Sequence, residues 1–258
     1  AGKVGVQEKG WKEMSGVLLD KRYLKRTIKK ADVSSAHLKE TRPIQVYLPP
    51  DHDENRRYPV IYLQDGDDYF NLGRLATQAN RLILDGDIRP FAAVAIPVDK
   101  EKRNAEYAPQ GDRHQAYLRF FTEELVPFVE AEFPVTSNPD DRVLGGSSLG
   151  GTVSLHLALE YPDSFRRVLS QSGAFLEPTL EAIGRAEQLS HLEVYQTIGK
   201  SETAVSTHMG TLDLLARNRE VYRALREKEA QVDYSEQEGD HTWGFWQKDL
   251  PRALKTFF

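Results

Sequence analysis

The sequence predicts an α/β fold built on a mostly parallel sheet, and two observations predict it. Short apolar runs that stop at turn residues recur along the chain, as at residues 58–63 before Gln64-Asp65-Gly66 and at residues 91–96 before Pro97. Between such runs the apolar period changes to that of a helix. This alternation implies parallel strands joined by crossover helices, with about eight strands in a twisted sheet and helices on both faces. A chain of 258 residues suits one such sheet, so residues 1–258 are read as one domain. Residues 1–41 are the least readable part, taken as N-terminal strands or an extension.

The elements follow in order. Residues 44–48 alternate and stop at Pro49-Pro50, which reads as a strand with a hard end. Residues 51–57 are polar and read as a loop, and residues 58–63 and 91–96 read as buried strands. Between 112 and 132, Leu118, Phe121, Leu125 and Phe128 share one helical face, and Pro127 should kink that helix. A strand at 142–144, a helix at 149–160 and strands at 167–170 and 192–198 come next. A helix through 210–228, a strand at 231–237 and a closing helix marked by Trp246, Leu250 and Leu254 complete the pattern.

Composition narrows the function. Hydrophobic residues make up 40% and charged residues 28%, the balance of a folded globular chain. No run approaches the roughly 18 apolar residues of a membrane span, so no membrane partner is expected. There is no cysteine, which excludes a disulfide scaffold, a thiolate metal site and a cysteine nucleophile. The net charge of -5 argues against a nucleic-acid binder. The one basic segment, residues 21–30, lacks interleaved aromatics and reads as a solvated face. Residues 1–16 hold no apolar signal core, which gives a cytoplasmic reading. The sequence sets no oligomeric state.

In a sheet of this kind chemistry gathers on loops at the carboxyl ends of strands. The strongest signal there is Gly145-Gly146-Ser147-Ser148-Leu149-Gly150-Gly151, which contains G-x-S-x-G between a strand and a helix. That is the context of a nucleophile elbow, with Ser148 as nucleophile. The phosphate-binding alternative is disfavoured because neither G-x-G-x-x-G nor G-K-[ST] is present. A serine hydroxyl needs a base. Of seven histidines, His241 lies after the last strand, where this chain order puts the base, while His156 sits inside the helix after Ser148 and His208 is the weaker competitor. The acid belongs on the loop after residue 198, where Glu202 is the one carboxylate; Asp213 is the runner-up, and Asp240 points poorly for an Nδ1 contact. Two backbone N–H groups, of Leu149 and Asp67, would form the oxyanion hole. No cofactor is implied, and with no H-E-x-x-H and no calcium-loop pattern no metal site is expected.

The set YPVIYLQDGDDYF, RNAEYAP, GGSSLGG, GKSE and EGDHTWGFW resembles the putative-esterase branch of the α/β hydrolases, over about residues 40–258. It is most similar to enterochelin-esterase-like members, on Glu202 in G-x-x-E and on Gly239, His241 and Trp243 in G-x-H-x-W. The resemblance implies the triad Ser148, Glu202 and His241, the assignment already reached from order and spacing. Enterochelin esterases proper carry a further N-terminal domain that about 40 residues do not supply, which leaves the ester open. The expected function is a serine carboxylesterase acting on a small-molecule ester through an acyl-enzyme, with a siderophore trilactone among its candidates. The alternatives are an acyltransferase, a feruloyl-type esterase, or a catalytically silent member of the fold. Arg103 and Glu106 should stand near the rim, either pairing with each other to pin their loop or with Arg103 meeting an anionic substrate. Tyr69, Phe70, Trp243 and Trp246 could line an acyl or aryl pocket or simply pack.

Overall fold

The structure is a computed structural model that describes residues 11–14 and 17–258. Its main sheet has eight strands: β1 (Thr27–Ser35), β2 (Glu40–Leu48), β3 (Val60–Gln64), β4 (Ala92–Ile96), β5 (Arg142–Ser147), β6 (Arg167–Gln171), β7 (Glu193–Gly199) and β8 (Gln231–Gln237). Their order across the sheet is β1-β2-β4-β3-β5-β6-β7-β8. Strand β2 runs antiparallel to both β1 and β4, and every other pair is parallel. From β3 the chain goes to β4 on one side and then returns to β5 on the other. Ligands in open α/β sheets bind at such a reversal, outside the carboxyl ends of the strands.

The central strands are apolar on both faces because both faces are covered. Residues alternate in direction along a strand, so Tyr62, Val94 and Leu144 enter one buried cluster while Ile61, Ala93 and Val143 enter the other. The second cluster is capped by helices α1 (Gly66–Asn71) and α2 (Leu75–Leu84) and by the last helix, Trp243–Phe257. Edge strand β1 keeps Lys29 and Lys30 in solvent, which discourages pairing with another chain.

Two expectations need correction. The stretch 112–132 is not one kinked helix: a π-helical stretch, Phe120–Leu125, joins His114–Arg119 to Val126–Glu132. Pro127 is the second residue of the last piece, directly after the π-helical stretch. The helix expected from 210 starts at Leu214, after a small hairpin of Val205–Thr207 and Gly210–Leu212. In the N-terminal region residues 1–10 and 15–16 lie outside the described residues, and 11–14 pairs with 17–20 as a hairpin. Basic residues 21–30 form a 3-10 turn running into β1, with Arg22 paired to Asp20 and Lys29 to Glu54.

Candidate active site

Strand β5 ends at Ser147, and the helix Leu149–Glu160 begins two residues later. Ser148 between them has φ 54° and ψ -126°, a conformation that costs a non-glycine residue about 1–3 kcal/mol. Its backbone is held there: its N–H donates to Gln171 O at 3.0 Å, and its carbonyl accepts from Gly151 and Ala174 at 3.1 Å each. A Cβ at Gly146 would come within 2.4 Å of the Gly150 carbonyl carbon, so this turn closes only over glycine.

The Ser148 hydroxyl faces the His241 ring, with Oγ 3.0 Å from Nε2. On the other side of the ring, Nδ1 lies 2.6 Å from Glu202 Oε1. A carboxylate only accepts, so Nδ1 carries the hydrogen and Nε2 is left to accept from Ser148. Glu202 is fully buried, and its second oxygen accepts from the Gly199 N–H and the Ser172 hydroxyl, each at 2.7 Å. Ser172 in turn accepts from Trp246 Nε1 at 2.8 Å, and the Trp246 ring meets the His241 ring edge-on, 5.0 Å between centroids. Every oxygen of this buried carboxylate thus has a donor, as a buried charge requires.

A cleft of about 390 Å³ opens over Ser148 and His241, lined by Asp67, Asp68, Lys100, Arg103, Trp243 and Trp246. Asp67 N–H lies in the first turn of α1 and Leu149 N–H in the first turn of the next helix past the elbow, where N–H groups lack intrahelical acceptors. Burial, with Asp67 and Asp65 nearby, pushes the Asp68 carboxyl above its ordinary range.

Of the residues singled out in the sequence, Ser148, His241 and Glu202 meet directly, and Asp67, Arg103 and Trp243 line the same cleft. Two expectations are corrected. Arg103 does not pair with Glu106. It grips Asp65 through Nε at 2.9 Å and Nη2 at 2.8 Å, while the fully buried Glu106 pairs with Arg42 and Arg113 behind the site. Tyr69 is also fully buried: its hydroxyl donates to Gln171 Oε1 at 2.8 Å and its ring supports Trp243 from below, so it is a packing residue. Sequence reasoning missed Ser172, Gly199 and Asp65. Ser172 follows β6 and Gly199 ends β7, both at the carboxyl side of the sheet, and Asp65 sits one position before Gly66, so place at the strand ends was the available signal. Asp213, the rival acid, caps the helix Leu214–Glu227 by accepting from Ala216 N–H at 2.9 Å.

A family profile described as Putative esterase matches residues 35–257. The chain is 38% identical over 232 residues to the uncharacterized protein YjcH of Bacillus subtilis, covering 89% of this chain and 96% of that protein. It is 29% identical over 163 residues to the iron(III) enterobactin esterase of Dickeya dadantii, but that match spans only 37% of the relative. Among solved structures, a ferulic acid esterase superposes with a TM-score of 0.75 at 20% identity, over 90% of this chain and 98% of that one. The Shigella flexneri enterobactin esterase gives 0.76 at 23% identity, over 95% of this chain and 63% of that one. The fold is that of the α/β hydrolases, and the class is an ester hydrolase. The chain belongs to the Putative esterase family.

Proposed function

We propose that the chain is a serine carboxylesterase working through an acyl-enzyme. The observation that carries this is the unbroken hydrogen-bond path Ser148 Oγ to His241 to Glu202, in a cleft that Asp67 also lines. In the first step His241 Nε2 takes the Ser148 proton as Oγ bonds to the ester carbonyl carbon. The carbonyl electron pair moves to oxygen, where the Leu149 and Asp67 N–H groups receive it. The tetrahedral species collapses, the ester C–O bond breaks, and His241 gives its proton to the leaving alcohol oxygen. Water then repeats the sequence, with His241 as base, to release the acid and restore Ser148. Glu202 keeps the imidazole tautomer and balances the positive ring that forms in each half. A cleft of about 390 Å³ lies at the small end of ligand pockets, which favours a small acyl or aryl ester.

A fluorophosphonate probe tests the reading. It should label Ser148 in the native chain and fail to label Ser148→Ala, which should also lose p-nitrophenyl acetate hydrolysis. Persistent labelling and turnover in that variant would end the proposal. The esters acted on by the named relatives, a ferric enterobactin and feruloyl esters, are the first natural candidates to screen beside short acyl esters.

A further inference from the structure

The turn that supplies the Asp67 N–H is unusual in how firmly it is held from the neighbouring strand's loop. After β3 the chain reverses at Asp65, which has φ 49°, left-handed for a non-glycine residue. The Asp65 carbonyl accepts from Asp68 and Tyr69 at 3.0 and 3.2 Å, and this tight winding leaves the Asp67 N–H without a turn partner. At Gly66 an added Cβ would come within 2.3 Å of the Ala95 backbone, so the turn is pressed onto β4. The rest of the grip comes from α3 (Arg103–Tyr107). Its Arg103 holds both Asp65 carboxylate oxygens, and its buried Tyr107 hydroxyl accepts from the Asp65 N–H at 3.0 Å. The guanidinium also lies 5.2 Å over the Tyr107 ring. This short helix is itself anchored from behind, where Glu106 pairs with Arg42 and Arg113 and its carbonyl accepts from the His114 ring at 2.9 Å.

We infer that Arg103 and Asp65 form a positioning clamp that sets the Asp67 N–H against the developing oxyanion; the inference rests on the proposed serine mechanism. Arg103 lines the cleft, but the Nε–Nη2 edge of its guanidinium is committed to Asp65, so that edge acts through the turn rather than on the substrate's charge. A bidentate guanidinium–carboxylate contact fixes direction as well as distance, which a lysine cannot copy. An N–H displaced from the oxyanion costs part of what its removal costs, and removal of one donor costs about 10²–10³ in kcat.

The experiment measures kcat and KM of Arg103→Ala, Arg103→Lys, Asp65→Asn and the Arg103→Ala/Asp65→Asn pair, on p-nitrophenyl acetate and on an ester with an anionic acyl group. The expected loss is about 10- to 100-fold in kcat with KM within about twofold, the same for both esters. The double variant should be no worse than the worse single one, since the two residues act as a unit. The Ki of phenylboronic acid, whose tetrahedral adduct places an oxygen in the hole, should rise in parallel with the fall in kcat. Added methylguanidinium should recover part of the kcat of Arg103→Ala, which a merely loosened fold would not allow. A loss confined to KM and to the anionic ester would overturn the clamp and make Arg103 a substrate contact. Wild-type kcat in Asp65→Asn would overturn it as well. Failure of the underlying mechanism is read separately, from fluorophosphonate labelling of the native chain at Ser148: a clamp that fails while labelling holds leaves the serine mechanism standing.

Discussion

Ser148 and His156 ride on the same strand-to-helix unit, eight positions apart, yet the imidazole facing Ser148 comes from 93 residues further along the chain. The two histidines show why. His241 sits at the open end of the sheet, with a carboxylate on one ring nitrogen and a hydroxyl on the other. His156 is buried, bonded through Nε2 to the Thr179 hydroxyl at 2.9 Å, with the His114 ring edge-on at 5.7 Å. Burial, then the His114 and Arg185 charges, push its pKa down to about 3. An imidazole becomes a useful base through a fixed negative partner and access to the reacting atom; burial without that partner makes it a neutral packing group.

The largest test of this contrast exchanges the two roles. His241→Gln should lower kcat by roughly 10⁴-fold or more while leaving the thermal midpoint nearly unchanged, because the ring lies at the cleft floor. His156→Gln should keep kcat within a few-fold and lose stability instead. Esterase assays beside thermal melts check both, and the reverse pattern would move the base to the buried pair.

A second test sharpens the partner's part. Glu202→Gln should lower kcat by about 10²–10⁴ with KM little changed, since a neutral amide no longer balances the positive ring. Asp213→Asn should leave kcat alone, because its carboxylate only caps a helix. Removing the support behind Glu202 should cost less. Ser172→Ala deletes one of two donors to Oε2 and the acceptor of the Trp246 N–H, and should lower kcat about tenfold, read by the same assay.

The last test is one of pH on stability. His156 is neutral in the folded chain down to about pH 3, whereas in the unfolded chain it titrates near 6.5. Its contribution is therefore fully present above pH 6.5 and declines as the pH falls from there toward 3, by up to about 1.4 kcal/mol per pH unit. Burial lowers His114 as well, adding in the same direction. Urea midpoints at pH 7.5 and pH 5 should differ more for the native chain than for His156→Gln, and equal differences would remove His156 from the acid response.

The parts legible in sequence are those whose cause is local. The elbow announces itself because Gly146 and Gly150 must nearly touch, and Glu202 because loops at the carboxyl ends of strands are short and hold few carboxylates. The bounds of β8 were read to the residue, its far end marked by Gly239 and Asp240. What was not legible depends on partners distant in the chain. Arg103 and Glu106 look like a pair in the sequence, but one helical turn apart they point to different neighbours, Asp65 and Arg42. Tyr69 looked like a pocket residue until the helix carrying it turned its ring under Trp243. The π-helical stretch before Pro127 has no signature in the apolar pattern, because Leu118, Phe121 and Leu125 stay buried either way.

Trp243 and Trp246 are two of the chain's three tryptophans, and both line the cleft. They stand edge-to-face with each other at 5.3 Å, and Trp246 stands so with the His241 imidazole. An indole's emission responds to charge and solvent placed against it, so proton transfer to that imidazole and displacement of water by an acyl group both fall within its range. The cleft therefore carries an optical reporter of its own, and on the proposed mechanism rapid-mixing fluorescence would follow acylation by colourless esters without a chromogenic leaving group.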